Sequence, residues 1–155
     1  MHGGFHVSGI VAMFRHATPE LQQALAMGVS LFIGEAEGGR LEEVLRDAQA
    51  GTMRPIYDHL MQPPDLEDEP GPTLPIELLR QTRGVAPLDA GRGCPFICSF
   101  CTIINVHGRG GRQRRVEDVL ATLRAYLDQG VRFFQITDDN FARLANWREM
   151  LIAIG

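Results

Sequence analysis

The sequence predicts an α/β fold, on three observations. Short apolar runs that suit buried strands alternate with segments of helical period; glycines close those segments; and the composition is that of a globular protein. Of the 155 residues, 45% are hydrophobic and 22% charged, ordinary values for a packed domain, and a chain of this length can bury a core.

The elements follow in order. Thr18-Pro19 sets a capping residue before a first-turn proline, "ELQQALAM" continues in helical composition, and Gly28 closes the helix. "VSLFI" reads as a buried strand ending at Gly34-Glu35. Leu41, Val44, Leu45 and Ala48 then fall on one face of a second helix, closed by Gly51. Such a unit needs neighbouring parallel strands to cover its apolar faces, yet the sequence ahead of it opens almost directly in a glycine-rich loop. Residues 52–80 hold six of the nine prolines and the acidic patch "DLEDE", the composition of a linker. After it, "VAPLDAG" reads as a strand, and Val116, Val119, Leu120, Leu123 and Leu127 mark one face of a helix stopped at Gly130. "VRFFQI" is the next strand, and Asn146 with Glu149 fits the capping box of a last helix.

Charge and composition exclude several function classes. All 15 basic residues are arginine, so neither a lysine Schiff base nor a Walker A phosphate loop can form. The net charge of −4 gives no general attraction to nucleic acid or to an anionic membrane. The run "GRGGRQRR", with Arg109, Arg112, Arg114 and Arg115, reads as a solvated loop or an anion contact rather than an RNA patch. No apolar run is long enough to span a bilayer and no secretory signal is read at the start of the sequence, so a cytoplasmic protein is the expectation.

The three cysteines lie within eight residues, as Cys94-x3-Cys98-x2-Cys101. An odd, clustered set in a reducing compartment argues against disulfides and for thiolate ligation. Three sulfurs would hold a 4Fe–4S cubane with one iron left open; a zinc site would need a fourth ligand, which His107 can supply. Cysteines simply buried in a core are the third reading. Asp138 and Asp139 follow "VRFFQI" and are either contacts at the mouth of a strand end or its polar terminator.

The spacing of the cysteines, with aromatic Phe100 just before the third, resembles the signature of the radical S-adenosylmethionine superfamily. "GGFHVS" (3–8), "FIGEAE" (32–37) and "TDDNF" (137–141) resemble successive landmarks of its members that carry an N-terminal cobalamin-binding domain. The resemblance spans nearly the whole chain and implies an internal fragment of a longer protein. Residues 1–51 would be the end of a Rossmann-like cobalamin domain, 52–80 a linker, and 81–155 the start of a radical S-adenosylmethionine (β/α) partial barrel. It implies that Cys94, Cys98 and Cys101 ligate the 4Fe–4S cluster, that Phe100 lies against the adenine, and that Asp138 and Asp139 contact S-adenosylmethionine. Gly3, Gly4, His6, Val7, Ser8, Gly34 and Glu35 would form the cobalamin loops at strand ends. The implied activity is methyl transfer to an unactivated centre of a small-molecule substrate, driven by an external one-electron reductant. Ring formation or rearrangement with the same cofactors is the enzymatic alternative, and a Cys3His zinc module that binds RNA is the non-enzymatic one.

Overall fold

The computed structural model describes residues 1–81 and 84–155. In chain order its elements are α1 (Phe5–Phe14), α2 (Pro19–Ala26), β1 (Leu31–Ile33), α3 (Arg40–Ala50), β2 (Ile56–Asp58), α4 (Ile76–Gln81) and β3 (Val85–Leu88). They continue with β4 (Gly91–Arg92), α5 (Ile103–Val106), β5 (Arg112–Gln113), α6 (Val116–Asp128), β6 (Phe133–Ile136), a 3₁₀ turn (Phe141–Arg143) and α7 (Trp147–Ile154). The fold is α/β with small parallel sheets. It forms two compact units: Met1–Pro64 with Phe96–Arg109, and Asp65–Pro95 with Gly110–Gly155. Among the described residues, no helix is long and apolar enough to cross a membrane.

In the first unit β1 pairs in parallel with β2, Leu31 opposite Ile56 and Ile33 opposite Asp58, and His2 bridges to Leu31 in the same sense. Side chains alternate across a strand, so Leu31 and Ile33 pack with Val7 and Leu21 on one face while Phe32 packs with Val44 and Tyr57 on the other. Helices therefore cover both faces of a very short sheet. Two expectations change here. "GGFHVS" is a helix start rather than a loop: Gly4 turns the chain at φ +83°, and the Ser8 amide donates to Gly4 O at 3.0 Å to open α1. In α3 only Val44 of the apolar stripe is buried, and Leu41 and Leu45 stay exposed, because a two-stranded sheet is too narrow to cover a full helix face.

Gly34 closes β1 at φ +103°, and a Cβ there would stand 2.8 Å from the backbone carbon of His59. A side chain is thus opposed both by torsion and by a rigid neighbour. Gly34→Ala is expected to cost about 2–3 kcal/mol, measured as a lower denaturant midpoint at unchanged slope. A midpoint within error of wild type would show that the turn gives way freely.

In the second unit β3 pairs in parallel with β6, from Val85 opposite Phe133 to Leu88 opposite Ile136. β4 pairs antiparallel with β5. The core forms from Leu88, Ala90, Val116, Val119, Leu123, Leu144 and Met150, with Leu120 and Leu127 packed partly against it. The stripe expected on α6 is therefore the face that is buried, and Gly130 follows its end at φ +87°. Helix α7 begins after Asn146 as expected, but no capping box forms. Asn146 instead donates its amide to Arg114 O at 3.1 Å, while its own backbone N–H and that of Ala145 donate to Gln113 Oε1.

Candidate functional site

Parallel pairing puts the carboxyl ends of β3 and β6 at the same edge of the sheet, the edge at which open α/β folds bind ligands. From β3 the chain runs Asp89-Ala90-Gly91-Arg92-Gly93-Cys94, and from β6 it runs Thr137-Asp138-Asp139-Asn140. The two segments are tied residue by residue. Asp138 Oδ1 accepts the Ala90 amide at 2.8 Å, Asp139 Oδ2 accepts the Gly93 amide at 2.7 Å, and Asn140 Nδ2 donates to Cys94 Sγ at 3.6 Å. The Thr137 amide donates to Leu88 O at 3.0 Å and continues the ladder. Gly91 lets β5 and Leu144 pack close against the same loop, since a Cβ there would meet both Arg112 O and the Leu144 side chain at 2.6 Å.

Beneath this segment lies a charged knot. Arg114 is fully buried. Its Nη2 donates to Asp89 Oδ2 at 3.0 Å, its Nε to Asp89 O at 3.1 Å, and its Nη1 to the carbonyls of Glu69 and Pro70 at 2.7 and 3.3 Å. Arg92 shares the same Asp89 oxygen at 2.8 Å. The sequence expectation of a solvated arginine run is therefore corrected at Arg114. Its planar fork matches four acceptors at fixed places, which an exposed side chain could not exploit. Arg115 keeps to the expectation, on the surface beside Asp68 and Asp118.

Asp138 is half-buried, and its second oxygen has no hydrogen-bond partner. Burial pushes its carboxyl up to about 6, with repulsion from Asp89 and Asp139 adding to it and the Ala90 amide opposing it. A folded value above the ordinary carboxylate range means that the native state holds more protons across that window. Stability from this group is then full below about pH 4 and is lost as pH rises through about 6. Asp138→Asn keeps an acceptor for Ala90 and cannot ionise, so it is expected to flatten that fall. Denaturant midpoints at pH 4, 5, 6 and 7 check this, and parallel wild-type and variant curves would refute it.

The other two cysteines lie in the first unit. The Cys101 amide donates to Cys98 O at 3.1 Å, making a tight turn that leads into α5. Cys98 is exposed and Cys101 half-buried, and all three thiols are free. Phe100 is 89% exposed, an aromatic ring with no core of its own to fill. His107 sets its ring edge-on to Phe5, 5.4 Å between centroids. Among the described residues, no three His, Cys, Asp or Glu side chains are gathered closely enough to hold a metal ion.

Of the N-terminal candidates, Ser8, Gly34 and Glu35 meet at the carboxyl end of β1, and the others are spread around it. Ser8 is fully buried and its Oγ accepts the Gly34 amide at 2.9 Å, which joins the start of α1 to the end of β1. Val7 is core, and Gly3 packs its backbone against Phe32. His6 is exposed, 3.5 Å from Glu20 and stacked on His2. Glu35 is buried, and its carbonyl accepts Arg40 Nη1 at 3.1 Å. Sequence reasoning missed His59 at the end of β2. Its backbone lies against Gly34, its ring lies 5.6 Å from that of Phe32, and its Nε2 is buried without a hydrogen-bond partner, 3.8 Å from a Glu43 carboxylate oxygen. Burial lowers its pKa, with Arg40 adding to the effect. The only signal for it is a histidine right after the β-prone "IYD", hidden by the prolines around it.

No family model matches the sequence. Among curated proteins it is similar to the bacteriochlorophyllide d C-12(1)-methyltransferase of Chlorobaculum tepidum, 30% identical over 138 residues that cover 82% of this chain and 29% of that protein. It is also similar to the ribosomal protein uS12 methylthiotransferase RimO of Gloeothece citriformis, 28% identical over 126 residues, 81% of this chain and 26% of that protein. RimO of Trichodesmium erythraeum is 25% identical over 120 residues, 77% of this chain and 25% of that protein. The chain thus spans between 25% and 29% of the length of these relatives, and over most of its own length it is similar to enzymes named for transferring methyl and methylthio groups.

Proposed function

We propose that this chain is part of a radical S-adenosylmethionine enzyme that methylates a small-molecule substrate. The observation that carries the reading is the Cys94-x3-Cys98-x2-Cys101 spacing directly after a parallel strand whose neighbour braces the loop with Asp138, Asp139 and Asn140. The donor set fits a 4Fe–4S cluster: three free thiols, none in a disulfide, each at least partly accessible. Three and two residues of chain separate successive cysteines, a short loop that lets the sulfurs converge on loading. When bound, the cluster supplies one electron, from an external low-potential donor, to the sulfonium of S-adenosylmethionine.

The residues of this chain bind and orient. Cys94, Cys98 and Cys101 hold the cluster, exposed Phe100 takes the adenine, and Asp138 and Asp139 contact S-adenosylmethionine. The N-terminal residues Gly3, Gly4, His6, Val7, Ser8, Gly34 and Glu35 form the cobalamin side, with Val7 contributing through its backbone. Residues 1–51, 52–80 and 81–155 are proposed as cobalamin-domain, linker and barrel segments of a longer cytoplasmic protein. In the folded chain, β2 of the middle segment pairs with β1. The similarity to named methyl- and methylthio-transferring enzymes supports methyl transfer over ring formation.

The reading is tested on the complete protein of which this chain is a part, because the barrel segment in this chain is not expected to turn over alone. The anaerobically reconstituted parent is supplied with S-adenosylmethionine and dithionite and 5′-deoxyadenosine is measured, with formation in wild type and none in Cys98→Ala expected. No 5′-deoxyadenosine from the cluster-loaded wild-type parent would contradict it.

A further inference from the structure

We infer that Asn140 is a positioning residue for Cys94, one that raises the reduction potential of the cluster proposed above by donating its side-chain amide to the Cys94 sulfur. The inference rests on that reading of the cysteines and adds a residue to it.

Three successive residues after β6 reach three places on the loop after β3. Asp138 takes the Ala90 amide and Asp139 the Gly93 amide, at 2.8 and 2.7 Å, so the backbone immediately before Cys94 is fixed from below. Asn140 then presents Nδ2 to Cys94 Sγ at 3.6 Å, a normal separation for a donor on sulfur. Asn140 stands at the start of the 3₁₀ turn Phe141–Arg143, yet its side chain caps nothing there. Its carbonyl accepts the Arg143 amide at 3.0 Å and holds the turn, which leaves the amide free for the sulfur. The orientation is chemically determined, since a ligating thiolate only accepts and the amide nitrogen only donates.

An N–H donor on a ligating sulfur withdraws charge from it. The reduced, more negative state gains more from this than the oxidised one, so the potential rises. Asp139 cannot do the same, because a carboxylate has no proton to give and is engaged on the Gly93 amide. The two neighbours divide the work: Asp139 places the backbone, and Asn140 sets the electronics of the ligand.

The test compares the wild-type chain with Asn140→Leu, which keeps the size and removes the donor. Each is reconstituted anaerobically with ferrous iron and sulfide and titrated with a low-potential reductant while the paramagnetic signal of the reduced cluster is followed. The expected result is a tenfold loss in the one-electron reduction equilibrium of Asn140→Leu, 59 mV to the negative side, at unchanged iron content. Asn140→Ala, which also lacks the donor but introduces no bulk, is expected to shift likewise. An unmoved potential in a loaded variant would overturn the assignment. Failure of both variants to load would do so too, by making Asn140 a purely structural residue. A wild-type chain that takes up no cluster would instead overturn the reading of the cysteines, and this assignment with it.

Discussion

Replacing Arg114 by methionine is expected to destabilise the second unit by about 3 kcal/mol. Four hydrogen bonds from one fully buried guanidinium tie Asp89 to the carbonyls of Glu69 and Pro70. Methionine fills the volume of the stem but strands the carbonyls and half-uncovers a buried carboxylate. Arg92 stays on Asp89 at 2.8 Å, which holds the loss near the low end for a broken buried pair. Arg114→Lys is expected to recover little of it, since a point charge cannot reach acceptors on two segments in the plane that the fork spans. Trp147, the one tryptophan of the chain, lies in the second unit, so its fluorescence against denaturant follows this unit. A shift worth less than about 1 kcal/mol would show that the knot contributes little net stability, as some buried ion pairs do.

The second large effect concerns ligation. Cys98→Ala is expected to abolish cluster assembly outright, because two thiolates leave two irons of a cubane without a protein ligand. His107→Ala separates this from zinc binding. In the structure His107 packs edge-on against Phe5, so its loss is expected to leave iron and sulfide content unchanged. A Cys3His zinc site would lose a ligand and with it much of the folding energy that metal supplies. Loss of bound metal in His107→Ala equal to that in Cys98→Ala would favour zinc.

Much of the fold was legible where one local rule acted alone. Pro19 in the first turn of α2, the apolar face of α6 and Gly130 after it all follow from propensity and period. The failures come where tertiary context overrides a local signal. Residues 52–80 read as a linker by proline content, yet "IYD" within them pairs with β1, because three residues suffice for a strand when a parallel partner is already placed. Asn146 lost its capping role to the Arg114 carbonyl. The cysteines and the carboxylates after β6 could be picked out by residue type and spacing alone, and the structure adds that Asp138, Asp139 and Asn140 bond to the loop that ends at Cys94. Arg114 and His59 could not be picked out in this way. Whether one arginine among four within a short stretch is buried, or one histidine lies behind a glycine turn, depends on residues 25 or more positions away.

Anaerobic reconstitution followed by iron, acid-labile sulfide and zinc analysis is the most direct test of a four-iron cluster held by Cys94, Cys98 and Cys101. About four irons and four sulfides per chain, a brown chromophore and loss of all of these in each of Cys94→Ala, Cys98→Ala and Cys101→Ala are the expected result. One tightly bound zinc per chain, with no iron or sulfide retained, would contradict it.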